Sequence, residues 1–241
     1  MFHVIWICYF QELICIKNKI FMHFCISDYQ RRKNETKKML HVIIGPMYAL
    51  KTTTLLKIAR ESEDTIIVKH SADLRFSSAN VVTHADDHLP AVALSDLFTD
   101  GLLTFGKRFK ECRAICIDEG HFFENIAETT SAWMLQGKNV TVTTLNSGLF
   151  LHPIPAVSRL LCRATKITFL TGQCFCGADA TATHRFLPYD LKGLSLIGGS
   201  EAYQCFCLKH YFEYLRDDFE KKRVCSRMEY QKNVLRKFLD C

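Results

Sequence analysis

The sequence predicts an α/β fold: a parallel sheet with helices on both faces, followed by a small metal-stapled unit. Three observations carry this. Short β-branched runs alternate with segments of helical spacing, the pattern of strands buried on both faces between crossover helices. One strand–turn–helix junction holds Gly45, Lys51 and Thr52 at the spacing of a phosphate-binding loop. From Gly172 onward the long apolar segments stop, and two Cys-Phe-Cys clusters appear, Cys174–Cys176 and Cys205–Cys207. Close cysteines of this kind are metal-ligand material.

Taken in order, Met1 to Ser27 is rich in aromatic and aliphatic residues. Its first apolar run ends at Gln11-Glu12, and Lys17 and Lys19 interrupt the rest. No stretch reaches the about 20 residues that span a bilayer. No basic segment precedes the run and no small-residue cleavage site follows it, so a signal peptide is not predicted. Residues 1–38 are read as an extension outside the folded domain, with Met22 and Met39 as alternative starts; a membrane-surface helix is the competing reading. Arg31 to Lys38 is a charged linker. Strands are predicted at His41–Ile44, Thr65–Lys69, Ala114–Ile117, Asn139–Leu145 and Ala164–Thr171, the last alternating around Ile167 and Phe169. Helices are predicted at Lys51–Glu63, through Leu55, Leu56 and Ile58, and at Phe122–Gln136. From Leu208 the chain is highly charged, as in a solvated helix that frays.

Composition narrows the function classes. A chain of 241 residues buries one sizeable core with a small appendage. The net charge of +6 suits an anionic ligand such as a nucleotide but falls short of the basic stripe of a nucleic-acid binder. Twelve cysteines in so long a chain, without a secretory signal, predict reduced thiols and a cytoplasmic protein rather than a disulfide scaffold.

The phosphate chemistry is read from two segments. Gly45, Pro46, Met47, Tyr48, Ala49, Leu50, Lys51 and Thr52 follow the first strand and open the first helix. Backbone amides at such a junction point at phosphates, and the helix dipole adds positive potential. The lysine reaches the β/γ-phosphates and the threonine hydroxyl ligates Mg²⁺. Leu50 stands where a phosphate loop normally has glycine, adding bulk beside the phosphates. Read alone, the segment also fits an ordinary junction with a solvated lysine. Ala114–Glu119 is an apolar strand ending in two carboxylates, at the strand end where ligands of open α/β sheets gather. Asp118 is the candidate for Mg²⁺ and Glu119 for taking the proton of an acceptor hydroxyl.

Further motifs stand in order along the chain: Gly45-Pro-Met-Tyr before Lys51-Thr52, Asp73-Leu-Arg75-Phe-Ser-Ser with Thr83-His84, Asp118-Glu-Gly-His-Phe-Phe123, and Ile197-Gly-Gly-Ser-Glu-Ala-Tyr203. This series resembles the type II thymidine kinases, zinc-containing P-loop enzymes of animals, bacteria and large DNA viruses, from about His41 to Tyr211. The resemblance implies a P-loop NTPase-like domain over 39–171, a zinc-binding lasso domain over 172–213 and a charged tail over 214–241. It implies transfer of the γ-phosphate of ATP to the 5′-hydroxyl of thymidine, with deoxyuridine as a related substrate. ATP, Mg²⁺ and structural Zn²⁺ are the implied cofactors, and a homotetramer or dimer without nucleic-acid or membrane partners the implied state.

Placed residue by residue, the resemblance makes Gly45 to Thr52 the ATP loop, with Thr52 and Asp118 near Mg²⁺. Asp73, Leu74 and Arg75 line the phosphate side, where Arg75 neutralises charge. Glu119 is the general base, and Gly120 and His121 complete the ATP side, His121 replacing the family's usual glutamine. Thr183 and Arg185 open the lasso. Leu194, Ser195, Leu196, Ile197 and Gly198 offer backbone groups to the thymine edge, and Tyr203 closes the pocket. For the base-stacking position, counting back from Pro153 gives Leu149, and a shift of one gives Phe150; stacking worth ~1–3 kcal/mol favours the aromatic ring. Cys207-Leu-Lys-His210 matches the family's second zinc pair. Cys176 matches the first by its distance to Arg185, but Gln173 takes the other place. A one-residue deletion accounts for this and makes Cys174, Cys176, Cys207 and His210 the ligands, with Cys205 in reserve. Buried thiols without metal are the alternative; Cys8, Cys15, Cys112 and Cys162 are core or surface thiols. Two rival functions remain: a nucleotide-binding relative impaired by Leu50, and a zinc-knuckle nucleic-acid binder. The absence of basic residues from Cys174 to Thr183 speaks against the second.

Overall fold

Strand β1 (Leu40–Gly45) is buried along its whole length, and the sheet is assembled around it. The computed structural model describes residues 38–62, 64–73, 80–82, 87–186 and 202–220. The other strands of the sheet are β2 (Thr65–His70), β5 (Val92–Leu94), β6 (Ala114–Ile117), β7 (Asn139–Leu145) and β8 (Lys166–Phe169). They lie in the order β5-β2-β6-β7-β1-β8, and every neighbouring pair is parallel. Two short strands outside the sheet, β3 (Asn80–Val82) and β4 (His88–Pro90), pair antiparallel.

Alternation along the strands sorts the apolar side chains onto two faces. Leu40, Val42, Ile44, Ile66, Val68, Ile115, Ile117, Val140 and Val142 pack with Phe105, Ile126, Ala127, Trp133, Val157 and Leu160. Those partners come from α2 (Thr99–Glu111), α3 (Ile126–Leu135) and α4 (Pro155–Leu161). On the other face Ile67 and Cys116 meet Leu55, Leu56 and Ala59 of α1 (Lys51–Glu61). Helices therefore cover both faces, as predicted. Helix α1 opens with three consecutive threonines, which cost up to about 0.7 kcal/mol each in propensity. Burial of Leu55 and Leu56, at about 1.5–3 kcal/mol apiece, outweighs that, so packing decides the helix.

Several elements differ from the sequence reading. The helix predicted from Phe122 begins at Ile126, because Gly120–Phe122 form a 3₁₀ turn. Helix α2 was not legible: Gly101 and Gly106 dilute its pattern, and Gly106 kinks it at φ 47. Strands β3, β4 and β5 are three residues each, too short for alternation to register. The strand predicted over Ala164–Thr171 is only four residues long and lies at the sheet edge, with Ile167 52% and Phe169 51% exposed.

After β8 the chain builds two antiparallel pairs, β9 (Gly172–Gln173) with β10 (Asp179–Ala180) and β11 (Ala182–Arg185) with β12 (Tyr203–Phe206), then α5 (Leu208–Glu220). Cys174, Ala180, Ala182, Cys205, Phe206, Tyr211 and Leu215 form its own small core. Helix α5 was predicted to be solvated, yet Tyr211 and Leu215 are buried; their spacing of four puts them on one face. Tyr48, Phe150 and Leu151 of the sheet domain pack against this core. Asn146 Nδ2 also donates to the Thr181 carbonyl at 2.8 Å. Among the described residues, no helix is long and apolar enough to cross a membrane.

Candidate active site and metal centre

The site forms at the sheet's carboxyl edge, where β1 and β6 end on either side of β7. A side chain at Gly45 would collide with the Leu170 carbonyl oxygen, so the loop leaves β1 through a position only glycine fits. Two residues of the loop then take left-handed backbone, Tyr48 at φ 63 and Leu50 at φ 56. The conformation that glycine usually supplies is thus kept, and Leu50 adopts it, at a cost of about 1–2 kcal/mol for an L-residue. The Leu50 side chain is 68% exposed, and the Leu50 carbonyl receives Thr54 N–H and Oγ1, at 3.0 and 2.9 Å, closing the first turn of α1. Lys51 is buried, and its Nζ donates back across the loop to the Pro46 carbonyl at 2.5 Å.

Thr52 Oγ1 donates to the Asp118 carboxylate, 3.1 Å from Oδ1 and 3.3 Å from Oδ2. Thr143, at the end of β7, donates to Asp118 Oδ1 at 2.5 Å and accepts from Glu119 N–H at 3.2 Å. The Asp118 amide donates to the Val68 carbonyl, pinning the start of the acidic turn to β2. Burial pushes the Asp118 carboxyl above its ordinary range; the Glu119 charge and, less strongly, Asp73 add to this, while the Thr143 and Thr52 hydroxyls oppose it. Such crowding of carboxylates favours a cation, and a hydroxyl plus a carboxylate is a hard-oxygen donor set suited to Mg²⁺. Glu119 itself is left-handed, at φ 51 and ψ 48. A side chain at Gly120 would strike Val142 Cγ1, so the turn after Asp118 needs glycine for close approach. The carboxylate of Glu119 and the imidazole of His121 lie together, with Nδ1 3.5 Å from Oε2. Asp73 is buried just after β2, its amide donating to the His70 carbonyl at 2.9 Å.

On the opposite side of the loop, Met47 N–H donates to Thr183 Oγ1 at 2.9 Å. Arg185 and Tyr203 face each other across the β11–β12 pair, and both are buried. Phe150, left-handed at φ 57, leans on the small unit's core; Leu149 belongs to the same turn, Leu149–Leu151. Leu74, Arg75 and Leu194 to Gly198 lie outside the described residues, as do Thr83 and His84.

The four predicted zinc ligands converge. The ligating atoms of Cys174, Cys176, Cys207 and His210 all lie within 4.8 Å of one another. His210 Nδ1 is 3.3 Å from Cys174 Sγ and 3.2 Å from Cys207 Sγ, and Cys176 and Cys207 sulfurs are 4.0 Å apart. Zn–S bonds of about 2.3 Å imply tetrahedral edges of about 3.7 Å, so the set fits a single zinc ion. The short Cys-x-Cys spacing works because Gly177 turns at φ 85, its amide donating to the Cys174 carbonyl while Cys174 N–H donates to Ala178. Burial alone would raise the Cys174 thiol; backbone amides of Cys176 and Cys207, with His210 and Cys176, bring it down to about 6, toward the thiolate that a metal requires. Cys205 is not part of the set: its Sγ lies 3.8 Å from the Gln173 carbonyl, and the reserve role drops out.

A family model described as thymidine kinase matches residues 38–211. The chain belongs to the thymidine kinase family. It is accordingly an ATP-dependent nucleoside kinase by class, with a nucleoside as its substrate. Among similar proteins, the thymidine kinase of Sheeppox virus is 30% identical over 180 residues, 72% of this chain and 96% of that one. Thymidine kinase a of Arabidopsis thaliana is 34% identical over 77% of this chain and 79% of its own length. The cytosolic thymidine kinase of Homo sapiens is 30% identical over 75% and 76%.

One residue central to this thymidine-kinase-family site was missed in the sequence. Thr143 links the backbone of Glu119 to the carboxylate of Asp118. Its signal was the Thr-x-Thr alternation of Asn139–Leu145, which sets Thr141 and Thr143 on one face of a buried strand, where hydroxyls need partners.

Proposed function

We propose that this chain transfers the γ-phosphate of ATP to the 5′-hydroxyl of thymidine, accepting deoxyuridine as the nearest alternative. The observation that carries the reading is the meeting of Thr52, Asp118, Thr143 and Glu119 beside the Lys51 loop, at one edge of the sheet. In this reading Gly45 to Thr52 embrace the phosphates, and Lys51 exchanges its Pro46 carbonyl for phosphate oxygens. Thr52 and Asp118 would hold Mg²⁺, which when bound would neutralise charge on the transferring group. Glu119 accepts the proton of the 5′-hydroxyl as its oxygen forms the new bond to the γ-phosphorus and the bond from that phosphorus to the β–γ bridging oxygen breaks, releasing ADP. Asp73, Leu74 and Arg75 stand on the phosphate side. Thr183, Arg185, Tyr203, the Leu194–Gly198 segment and Phe150 or Leu149 hold the nucleoside.

Cys174, Cys176, Cys207 and His210 would hold a structural Zn²⁺ that fixes the base of the nucleoside-binding unit. The division into a kinase domain, a lasso domain and a tail, a tetrameric or dimeric state and a cytoplasmic location belong to the same proposal. The test is phosphate transfer by purified protein to thymidine, deoxyuridine and deoxycytidine. Transfer chiefly to thymidine supports the reading, and transfer chiefly to deoxycytidine rejects it. The left-handed Leu50 favours one rival, an ATP binder without turnover. ATP binding with no transfer to any nucleoside would establish that rival.

A further inference from the structure

Glu119 has a partner that the reaction as described does not use. His121 Nδ1 stands 3.5 Å from Glu119 Oε2, with the two side chains only 12% and 14% exposed. The separation is that of an ion pair rather than a formed hydrogen bond, but contacts of this kind in ligand-free enzymes tighten when substrates bind. The imidazole is itself held. Its ring lies 4.4 Å from that of Phe122, which stacks on His70 at 5.5 Å, and His70 meets the buried Phe123 ring edge-on at 4.8 Å. A chain of packed rings therefore fixes the nitrogen that faces the carboxylate.

The carboxylate needs such a hold. Glu119 follows Asp118 directly, and the charge of each acid acts on the other inside a buried site. Its backbone is left-handed, and its side chain makes no hydrogen bond that caps the turn it opens. We infer that His121 is a positioning residue for Glu119, in which Nδ1–H holds Oε2 and leaves Oε1 turned toward the acceptor hydroxyl. The inference rests on the reading of Glu119 as general base. It departs from the expectation that His121 serves ATP, since an ATP contact would act on binding and a positioning contact on turnover.

Steady-state kinetics with ATP and thymidine separate these possibilities in His121→Phe, His121→Gln, Glu119→Gln and the Glu119→Gln/His121→Phe double variant. Phenylalanine keeps a ring against Phe122 but removes both nitrogens; glutamine restores a donor. The expected result is a fall in kcat of about tenfold or more in His121→Phe, less than the ~10²–10⁴-fold of losing the base itself. The Michaelis constant for ATP should stay within about twofold, because the contact is not to ATP. His121→Gln should recover most of the lost turnover, and the double variant should be no slower than Glu119→Gln, since one group acts through the other. Unchanged kcat in His121→Phe, a raised ATP Michaelis constant alone, equal losses in Phe and Gln variants, or a further slowing in the double variant would each overturn the inference. If His121→Phe does not fold, His121→Leu, which also lacks a donor, takes its place with the same expected and overturning results. Failure of the underlying reading looks different: Glu119→Gln would itself turn over like the parent.

Discussion

At Leu50 the backbone asks for glycine and the sequence supplies a branched side chain. The left-handed conformation costs leucine about 1–2 kcal/mol, whereas glycine there costs about 0.5–1 kcal/mol in chain entropy. Leu50→Gly should therefore stabilise the protein by up to about 1 kcal/mol, raising Tm by roughly 2–4 °C. If the loop also approaches phosphate more closely, the ATP Michaelis constant should fall, by up to about tenfold for 1.4 kcal/mol recovered. Thermal melting and ATP titration of the two proteins check this, and a lower melting temperature in the glycine variant would show that the loop has adapted to leucine. Thr143 makes the opposite case. Thr143→Val keeps the shape but takes the Thr143 acceptor from the Glu119 amide and leaves Asp118 Oδ1 with the Thr52 hydroxyl, a loss of about 1–3 kcal/mol for a buried site. Denaturant unfolding should register a loss of that order, with reduced turnover; an unchanged unfolding midpoint would remove Thr143 from the account of the site. Lys51, Thr52, Asp118 and Glu119 were legible from spacing because phosphate loops and strand-end acids are local in sequence. Thr143 was not, since its partners sit 24 and 25 residues away and no motif joins them.

Elements tell the same story at longer range. Helix α2 exists despite two glycines because Phe105 packs onto Trp133 from α3, with ring centroids 6.0 Å apart. Gly106 at φ 47 bends it with nothing within 4 Å of where a Cβ would stand. Gly106→Ala therefore meets no steric neighbour and tests backbone strain alone. It should lower stability by about 1 kcal/mol, the penalty of a side chain in left-handed backbone. A variant as stable as the parent in urea would mean that the kink relaxes freely. The start of α3 was likewise misread, at Phe122 instead of Ile126. Hydrophobic spacing runs on smoothly through Phe122, Phe123 and Ile126, but Gly120 is pressed against Val142, and the chain must turn once before α3 begins.

The whole molecule couples a sheet with its own large core to a unit whose core, among the described residues, is seven residues. A core so small gains much of its order from cross-links. Purified, freshly reduced protein should contain about one zinc per chain. Chelation should speed hydrogen exchange from Gly172 to Leu215 before the sheet strands loosen; simultaneous loosening of both, or an absence of zinc, would count against a structural metal. The loop contact from Met47 to Thr183 and the Asn146–Thr181 bond predict that exchange in the phosphate loop rises next. By itself the sequence determined the α/β class, the strand–loop–helix junction that holds Lys51, the acidic strand end and the close Cys207–His210 pair. Each of these is written in short spacing or in periodicity, which act within a few residues. Tertiary structure alone decided which face α5 buries, that Cys205 stands outside the metal set, that Thr143 ties the two acids, and that His121 meets Glu119. Those outcomes depend on which strands become neighbours and how closely they approach, and that is settled only when the whole chain shares one packed interior.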